Sequence, residues 1–445
     1  MRLPLTLLLP PLLLLAQQPD SSAALPAEEL WLKITATGSR RRLSLVVADF
    51  TPAPDSSAAE QAPLDTLKAV LESDLSFSLH FVLQQPDSGI TFDFSTDPRS
   101  VDLEGWASTG AEVLVCGALV RKASGPVIDL QLYDLATVRR IAAKSYALGG
   151  RLRWLAHEMA DDIIKLLTGE DGVSRTRIAF SQATDQGQKE LAAVDHDGAD
   201  LGQLTGSGGV KLFPDWSPDG TRIAYCAYGD RSLNVLTLQL ADGSVRTLID
   251  RPGLNTTPAW SPDGRSLAVS LSYEGQSDIY VVNADGSNLR CLAHSSGIDI
   301  SPCWSPTGGQ IAFVSDRTGS PQVYVVDRDG TDLRRLTYEG SYNTSPAWSG
   351  RGDMIAFVQR QPGGANQICV TDIMGDTYVR LTSRGNNEDP CWSPDGLHLA
   401  FSSNRSGSYE IYTMDWSGAN QTRVTAAGGA TSPSWSPVIP APGAR

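Results

Sequence analysis

The stretch Pro258-Ala259-Trp260-Ser261-Pro262-Asp263-Gly264 recurs along the second half of the chain and decides its fold. Its tryptophan returns every 44 residues, with a last interval of 43: Trp216, Trp260, Trp304, Trp348, Trp392 and Trp435. The motif is intact at residues 214–220, 258–264 and 390–396, altered at 302–308 and 346–352, and cut short at 433–437. A period of about 40–45 residues with several short strands per unit is typical of a propeller blade, because one small sheet buries its apolar faces only when neighbours stack on it.

The remainder of each repeat has the pattern of three further strands. In the repeat of Trp304, the apolar run at residues 311–313 is followed by the β-branched and aromatic run at 323–326. The dipeptide Asp329-Gly330 then marks a hairpin turn, and a last strand ends at Leu336-Thr337. The pattern therefore predicts four strands per blade.

The two ends of the repeat region predict how the ring closes. Three strands, at residues 178–180, 191–194 and up to 205, have no Trp strand before them, whereas the Trp strand at 433–437 has no strands after it. Together they make one blade. We therefore expect a six-bladed β-propeller over residues 177–437, closed by the C-terminal strand, which removes the exposed edges that favour aggregation.

Composition and charge limit the classes of function. The chain has 445 residues, a formal net charge of −14 and 41% hydrophobic residues. Its one basic cluster, Arg40-Arg41-Arg42, is interpreted as a solvated turn before a strand. Nucleic acid is not expected as a partner, because such binding draws mainly on Lys and Arg that neutralise phosphates.

Residues 1–27 have the pattern of a secretory signal peptide. Arg2 gives a positive start, residues 3–16 are apolar, and small residues offer cleavage after Ala16 or after Ala27. The apolar stretch is too short to span a bilayer, and no Cys nearby provides a lipidated cleavage site. The pattern predicts export to an oxidising compartment without a membrane span.

Between the signal and the repeats, residues 28–171 are predicted to form a mixed α/β domain, so that the fold class is an α+β domain followed by an all-β propeller. Predicted strands and helices alternate here: strands at residues 43–50, 111–120 and 127–133, and helices at 64–75 and 152–167. The polar stretch 85–100 is predicted to be a loop. A short hydrophilic hinge at 169–177 is expected to join the two domains and to let them reorient.

The six cysteines do not indicate a disulfide framework. Cys303 and Cys391 occupy equivalent positions two blades apart, beyond the reach of a disulfide. Three others lie in predicted strands, where a free Cys acts as a small hydrophobe: Cys116, Cys226 and Cys369. A bridge between Cys291 and Cys303 is the one pairing that the spacing leaves open.

The residues that could carry chemistry form no catalytic pattern. No Gly-x-Ser-x-Gly motif occurs, and the five histidines show no metal-ligand spacing. His157 lies on the predicted helix 152–167, where packing between the helix and the propeller is favoured over catalysis. The sequence therefore predicts no catalytic residue, metal or cofactor, and a protein that is not an enzyme.

A binding role is expected where the blades differ. The segments that enter the Trp strands are interpreted as loops that converge on one mouth of the central channel: residues 211–213, 255–257, 299–301, 343–345, 387–389 and 430–432. Asp299, Glu388 and Asp389 make this mouth acidic, which suits a peptide with backbone donors or a positive charge. A ring of hydrated loops without a partner is the alternative.

The repeat, and more specifically the N-terminal half, resembles the TolB family of periplasmic propellers of the Tol–Pal system. The resemblance is carried by Val46-Val47-Ala48-Asp49-Phe50, by Trp106 with residues 110–117, and by the join from Ala156-His157 through 166–172 to 176–180. It covers essentially the whole chain after residue 27.

The resemblance implies a non-catalytic, monomeric periplasmic adaptor that supports outer-membrane integrity during cell division. In that family the propeller mouth receives the peptidoglycan-associated lipoprotein, colicins exploit the same surface, and the mature N-terminus engages TolA. Matching the loops to the family's binding face selects Asn255, Thr257, Asp299, Asn343, Thr344, Asn387 and Glu388.

Two departures and two alternatives accompany this interpretation. The segment after the signal is rich in Ala and Glu and matches the family's start poorly, and Ser349-Gly350-Arg351-Gly352 replaces the usual turn of the motif. The alternatives are an exported propeller scaffold with other partners, and a propeller lyase that would hold a divalent metal with three protein ligands.

Overall fold

The computed structural model describes residues 41–54, 61–85, 103–228 and 232–439. The predicted signal peptide at 1–27 lies outside the described residues, as does nearly all of the loop predicted at 85–100.

The N-terminal domain is a five-stranded mixed sheet with helices on both faces. Its elements in chain order are β1 (Leu43–Val47), α1 (Gln61–Phe77), β2 (Phe81–Gln84), α2 (Leu103–Ala107), β3 (Val113–Lys122), β4 (Gly125–Asp134), β5 (Arg139–Ala147) and α3 (Leu152–Thr168). The strand order is β2-β1-β3-β4-β5, with β1 parallel to both neighbours. Leu71 of α1 and Met159 of α3 pack in the core on one face, and Trp106 of α2 packs on the other.

Apolar spacing predicts the longer elements of this domain but not its short ones. α1 and α3 contain the predicted helices, and β1, β3 and β4 correspond to the predicted strands. Three elements were not predicted: β2, β5 and α2. In β5 most side chains are at least partly exposed, so that it lacks the apolar alternation by which a strand is recognised.

The second half of the chain forms six four-stranded antiparallel sheets. The closing blade uses β6 (Arg177–Ala183), β7 (Lys189–Asp195) and β8 (Gly202–Gln203), and blade 1 uses β9 (Lys211–Trp216), β10 (Arg222–Tyr228), β11 (Leu233–Gln239) and β12 (Val245–Ile249). Blade 2 is β13 (Asn255–Trp260), β14 (Ser266–Leu271), β15 (Asp278–Asn283) and β16 (Arg290–Ala293), and blade 3 is β17 (Asp299–Trp304), β18 (Gln310–Ser315), β19 (Gln322–Asp327) and β20 (Arg334–Arg335). Blade 4 is β21 (Asn343–Trp348), β22 (Met354–Arg360), β23 (Asn366–Asp372) and β24 (Val379–Arg380), blade 5 is β25 (Asn387–Trp392), β26 (His398–Ser403), β27 (Glu410–Asp415) and β28 (Thr422–Arg423), and β29 (Ala430–Trp435) completes the closing blade.

The chain ends close the ring as predicted. β29 pairs antiparallel with β6, with Trp435 opposite Ile178, and the sheet order is β29-β6-β7-β8. The indole Nε1 of Trp435 donates to Thr176 Oγ1 at 2.8 Å, and the Ser436 amide donates to the carbonyl of Arg177 at 2.8 Å. The six-bladed propeller is therefore confirmed.

The repeated tryptophans hold neighbouring blades together. Trp304 of blade 3 donates its indole Nε1 to the carbonyl of Ala259 in blade 2 at 3.1 Å, and Trp392 of blade 5 does the same to Ala347 of blade 4. Their side chains are buried, as are the apolar runs of the second strands behind them. In these two copies the tryptophan of the motif has a structural role, because it joins two sheets that are not hydrogen-bonded to each other along their edges.

The N-terminal domain packs on the end of the propeller where the Ser-Pro-Asp-Gly turns lie. The ring of Phe77, at the end of α1, stacks on His398 with centroids 3.9 Å apart, and His398 Nε2 lies 2.7 Å from the Phe77 carbonyl oxygen. Arg351, in the altered turn of blade 4, pairs with Glu170 at 2.7 Å. The inner strands begin at the opposite end of the propeller, so that the channel mouth predicted to bind a partner faces away from these contacts.

The segment between the domains is not the hydrophilic hinge that the sequence suggests. Val173, Ser174 and Thr176 are buried. The carboxylate of Asp161 on α3 accepts hydrogen bonds from the Ser174 amide at 2.9 Å and from Arg175 Nε at 2.8 Å. These contacts fix the segment against the helix, because a buried carboxylate with charged and backbone donors is costly to separate from them.

Removal of residues 430–445 is expected to unfold the whole propeller, because it deletes an inner strand and exposes two blade faces at once. A chain that ends at residue 439 keeps β29 and is the matched control. Thermal unfolding followed by circular dichroism measures both. A cooperative transition at the wild-type temperature in the longer truncation would contradict closure by β29.

Trypsin should leave the bonds after Arg175 and Arg177 intact in the native protein, and Asp161→Ala should make this segment cleavable. The substitution leaves buried amide and guanidinium donors without their acceptor, at a cost of about 1–3 kcal/mol. The neighbouring Asp162→Ala is the control, because Asp162 is more exposed and bonds instead to Lys144 and Tyr146. Rapid cleavage at these sites in the wild type would show that the segment is free.

Candidate protein-binding site

The residues predicted to form mouth loops lie instead inside the inner strands. Each of the six segments is the first half of a Trp strand, so the interpretation as loops is wrong. In every blade the pairing of the inner strand with the second strand shifts register between these residues and the tryptophan. A bulge therefore interrupts each inner strand where it borders the channel.

One residue in each bulge has a left-handed backbone although it is not glycine. Their φ values lie between 47° and 55°: Phe213, Thr257, Ser301, Ser345, Asp389 and Ser432. Such residues are uncommon and persist only where surrounding contacts fix them. The adjacent blade supplies some of these contacts, since the Ser301 amide donates to Ser270 Oγ at 3.1 Å and the Ser432 amide to Ser402 Oγ at 3.0 Å.

Four of the seven predicted site residues are fully buried, and they hold the starts of the inner strands. Asn343 Nδ2 donates to Gln322 Oε1 at 2.8 Å, and Asn387 Nδ2 donates to Gln367 Oε1 at 2.9 Å. Asn255 Nδ2 donates to the carbonyl oxygens of Leu233 and Arg251.

The fourth buried residue is Asp299, whose carboxylate pairs with Arg317 Nη2 at 2.8 Å. A lysine at this position would place two cations together in a buried site. Replacement of Asp299 by lysine is therefore expected to disturb the fold.

The other three predicted residues remain accessible. Thr257, Thr344 and Glu388 are half-buried, and both threonines line the central channel. Glu388 Oε1 accepts a hydrogen bond from Asn366 Nδ2 at 2.9 Å. These three side chains are the part of the predicted set that a docked partner could contact.

The channel is a cavity of about 670 Å³ lined by the inner strands, and two of its carboxylates join neighbouring blades. Asp215 accepts the Trp260 amide at 2.7 Å, and Asp389 accepts the Ser345 hydroxyl at 3.2 Å and the Ser432 hydroxyl at 2.9 Å. The channel is therefore polar and acidic, and its carboxylates are also part of the scaffold.

The surroundings of these carboxylates favour their neutral form. Burial raises the pKa of Asp215 to about 7, against the opposing hydrogen bonds from the Trp260 amide and Ser434. Burial likewise raises the pKa of Asp389, and the nearby charge of Glu388 adds to that effect. The charge of the channel consequently depends on pH near neutrality.

Exposed apolar side chains lie at the mouth end of the propeller and were not predicted. Leu254 and Ile298, immediately before the inner strands of blades 2 and 3, are 51% and 50% exposed. Tyr228 and Tyr338 lie at the same end and are 65% and 67% exposed. For Leu254 and Ile298 the signal in the sequence is a large apolar residue directly before the inner strand, but their exposure could be judged only once the strand starts were known. We call these four residues the apolar rim.

The structure also brings together a group that spacing could not reveal. Asp74 on α1, His157 on α3 and His196 after β7 offer ligand atoms within 4.8 Å of one another, and all three residues are buried. They come from three separate segments and two domains. Burial alone would raise the pKa of Asp74, but the two neighbouring imidazoles of His157 and His196 outweigh it and lower the pKa.

Two further expectations concern cysteines and membrane spans. All six cysteines are free, so that Cys291 and Cys303 do not form a bridge in this structure. In the ranges that the structure describes, no helix combines the length and the apolar character needed to cross a membrane.

These features define a class of protein: a six-bladed propeller with an open, acidic channel mouth and an α/β domain on its opposite end. Residues 164–439 match the TolB beta propeller domain, and residues 30–141 match the TolB amino-terminal domain. The chain belongs to the TolB family.

Relatives by sequence and by structure agree with this assignment. The Tol-Pal system protein TolB of Geobacter sulfurreducens is 38% identical over 203 residues, which cover 45% of this chain and 46% of that protein. The protein TolB homolog of Chlorobium luteolum is 34% identical over 227 residues, or 50% of each chain. The chain thus spans about half the length of the curated relatives it matches. The crystal structure of TolB from Acinetobacter baumannii superimposes with a TM-score of 0.78 at 25% identity, covering 89% of this chain and 97% of that one.

The wild type is expected to become less stable as pH rises, and Asp215→Asn should abolish this pH dependence. A carboxyl whose pKa is about 7 in the folded state and near 4 in the unfolded state stabilises the fold fully below pH 4, and this contribution is lost between pH 4 and 7. Between pH 5 and 8 we expect the free energy of unfolding of the wild type to fall by about 1–3 kcal/mol relative to that of the variant. This is less than the pKa difference alone would give, because Asp215 borders the open channel and is partly screened by solvent.

Urea unfolding at the two pH values gives this difference. Asp242→Asn is the control, since hydrogen bonds from Ser244 lower the pKa of this exposed turn residue instead of raising it. An equal pH dependence in the wild type and in Asp215→Asn would contradict the assignment.

Proposed function

We propose that this chain is a non-enzymatic periplasmic adaptor of the Tol–Pal system, which binds the peptidoglycan-associated lipoprotein at the propeller mouth. Through that contact it would support outer-membrane integrity and cell division. Membership of the TolB family and the names of the relatives support a role in this system. The lipoprotein as partner and the mouth as its site are the parts that need testing.

The observation that carries the proposal is the difference between the two ends of the propeller. The N-terminal domain occupies the end with the motif turns, where Phe77 stacks on His398. The mouth lies at the other end and combines polar groups in the channel with the apolar rim around it. Protein-binding surfaces combine an apolar contact area with a small number of oriented polar groups.

The rigidity of the mouth favours binding of a flexible segment. Its polar side chains lie on strands that are fixed on both sides by neighbouring blades, so that little ordering entropy is lost on the adaptor's side. Glu388 suits a segment that carries a positive charge, and the channel carboxyl groups of Asp215 and Asp389 can accept hydrogen bonds from its backbone amides. A lipoprotein loop that enters the channel while its flanks contact Leu254 and Ile298 would use both features.

We propose TolA as a second partner, bound by the mature N-terminus. The mature N-terminus, which would contact TolA, lies outside the described residues. The domain boundaries proposed here remain 28–171 for the N-terminal domain and 177–437 for the propeller, after a signal peptide at 1–27. An adaptor of this kind, expected to be a monomer, needs two separated binding regions and no catalytic group.

Glu388→Lys should weaken binding of the lipoprotein by about 1–3 kcal/mol, which corresponds to roughly a 5- to 150-fold rise in Kd. Glu388 is half-buried at the mouth, where it bonds to Asn366 and to Tyr409. Both partners are partly exposed, so the fold should tolerate the loss of these bonds. Titration calorimetry with the soluble domain of the cognate lipoprotein measures the effect, and circular dichroism checks folding.

Asp329→Lys is the matched control. It reverses one exposed carboxylate in a turn of blade 3 at the end opposite the mouth, and its affinity should equal that of the wild type. Loss of binding in this variant with unchanged binding in Glu388→Lys would place the site elsewhere. Failure of the wild-type chain to bind the lipoprotein at all would favour a scaffold with other partners.

A further inference from the structure

The cluster of Asp74, His157 and His196 has the composition of a transition-metal site. Two imidazoles and one carboxylate are ligands that zinc and similar divalent ions accept, usually with a fourth ligand from water or protein. The side chains of the three residues are essentially fully buried, with 1%, 0% and 2% of their residue surface exposed. Polar groups buried to this extent need partners, and hydrogen bonds satisfy only some of their atoms.

The positions of the atoms bring the three ligands towards one point. Asp74 Oδ2 lies 2.6 Å from His157 Nδ1, and Asp74 Oδ1 lies 3.3 Å from His196 Nε2. Ligands of a tetrahedral ion, at about 2.0–2.1 Å from the metal, are about 3.3 Å apart. The ligand atoms of the cluster all lie within 4.8 Å of one another, so that shifts of about 1 Å would bring them to that spacing.

Hydrogen bonding alone leaves atoms of this cluster unsatisfied. Asp74 Oδ1 has no hydrogen-bond partner even though His196 Nε2 is only 3.3 Å away, which means that the two groups are close but not aligned. An ion between them needs no such alignment. A hydrogen-bonded triad with one protonated imidazole is the competing explanation, and it would require this alignment to improve.

The surroundings resemble a support for metal ligands. His157 Nε2, on the far side of the ring from Asp74, lies 4.0 Å from the carboxylate of Asp197, which also pairs with Arg153. At this distance the two groups are not hydrogen-bonded, and His157 Nε2 has no hydrogen-bond partner. A small movement of Asp197 would let it accept a hydrogen bond from Nε2, as a carboxylate behind a ligating histidine does when it orients the ring and raises its basicity. The neighbouring His398 is not available as a ligand through Nε2, because that atom faces the carbonyl of Phe77.

An ion could reach the cluster from outside. A cavity of about 360 Å³ between the domains is lined by residues that include Ser73, Phe77, His196, Asp197 and His398. His196 and Asp197 thus border both the cavity and the cluster. An entry path is one of the requirements for a metal site.

We propose that Asp74, His157 and His196 bind one divalent transition-metal ion between the N-terminal domain and the propeller. Asp74 and His157 belong to α1 and α3, whereas His196 belongs to the turn after β7 of the closing blade. The ion would therefore join the two domains at the closing blade, and it would stabilise their docked arrangement to the extent that it binds the separated domains less well.

The test uses the mature chain with its affinity tag removed and with metal stripped by a chelator. Calorimetric titration with zinc chloride should give one bound ion per chain and a higher midpoint of thermal unfolding. His196→Gln should lower the affinity at least tenfold, because a neutral side chain of similar reach replaces one ligand. His294→Gln is the matched control, since His294 pairs with Asp278 on the propeller surface without a second histidine, and it should bind zinc as the wild type does.

Cobalt binding to the unmodified protein gives a measurement that does not depend on a variant folding. The visible absorption of cobalt should be that of a four-coordinate ion with nitrogen and oxygen ligands. Absence of a stoichiometric zinc site, or equal zinc affinity in the wild type and a folded His196→Gln, would overturn the proposal. The first of these results would show that the cluster is held by protons and hydrogen bonds alone.

Discussion

The pairing of β29 with β6 is the constraint on which the rest of the molecule depends. Five blades are continuous in sequence, but the sixth forms only when residues 430–435, at the end of the propeller, pair with its first strand, β6. Without that pairing, two blade faces lose their neighbours and the inner strands lose the adjacent blades that fix their bulges. The channel, its mouth and the support for the N-terminal domain all follow from closure.

Closure also gives the two ends of the propeller different surroundings. The motif turns face the N-terminal domain, and a departure from the motif makes one of the contacts, since Arg351 in the altered turn pairs with Glu170. The inner strands begin at the other end, where Leu254 and Ile298 remain exposed. The departure from the repeat motif in this turn thus provides a contact between the two domains.

The sequence predicts the fold well because the fold arises from a repeated local pattern, whereas the site depends on contacts between repeats. The spacing of the tryptophans gives the number of blades and the way in which the ring closes. It does not show that Asn343 and Asp299 are buried, because Gln322, the partner of Asn343, lies on a strand of the neighbouring blade, and Arg317, the partner of Asp299, lies in the turn after β18. The cluster of Asp74, His157 and His196 is hidden for the same reason, since its members are brought together only by docking of the two domains.

The closing strand also connects the two ends of the propeller directly. β29 begins at the mouth, where Ser432 donates to Asp389, and ends at Trp435, which donates to Thr176 in the segment between α3 and β6. Because both bonds lie on one six-residue strand held on both sides, a partner at the mouth that moved this strand would also disturb the closure of the ring. The propeller is therefore better suited to fix the distance between two binding regions than to deform between them.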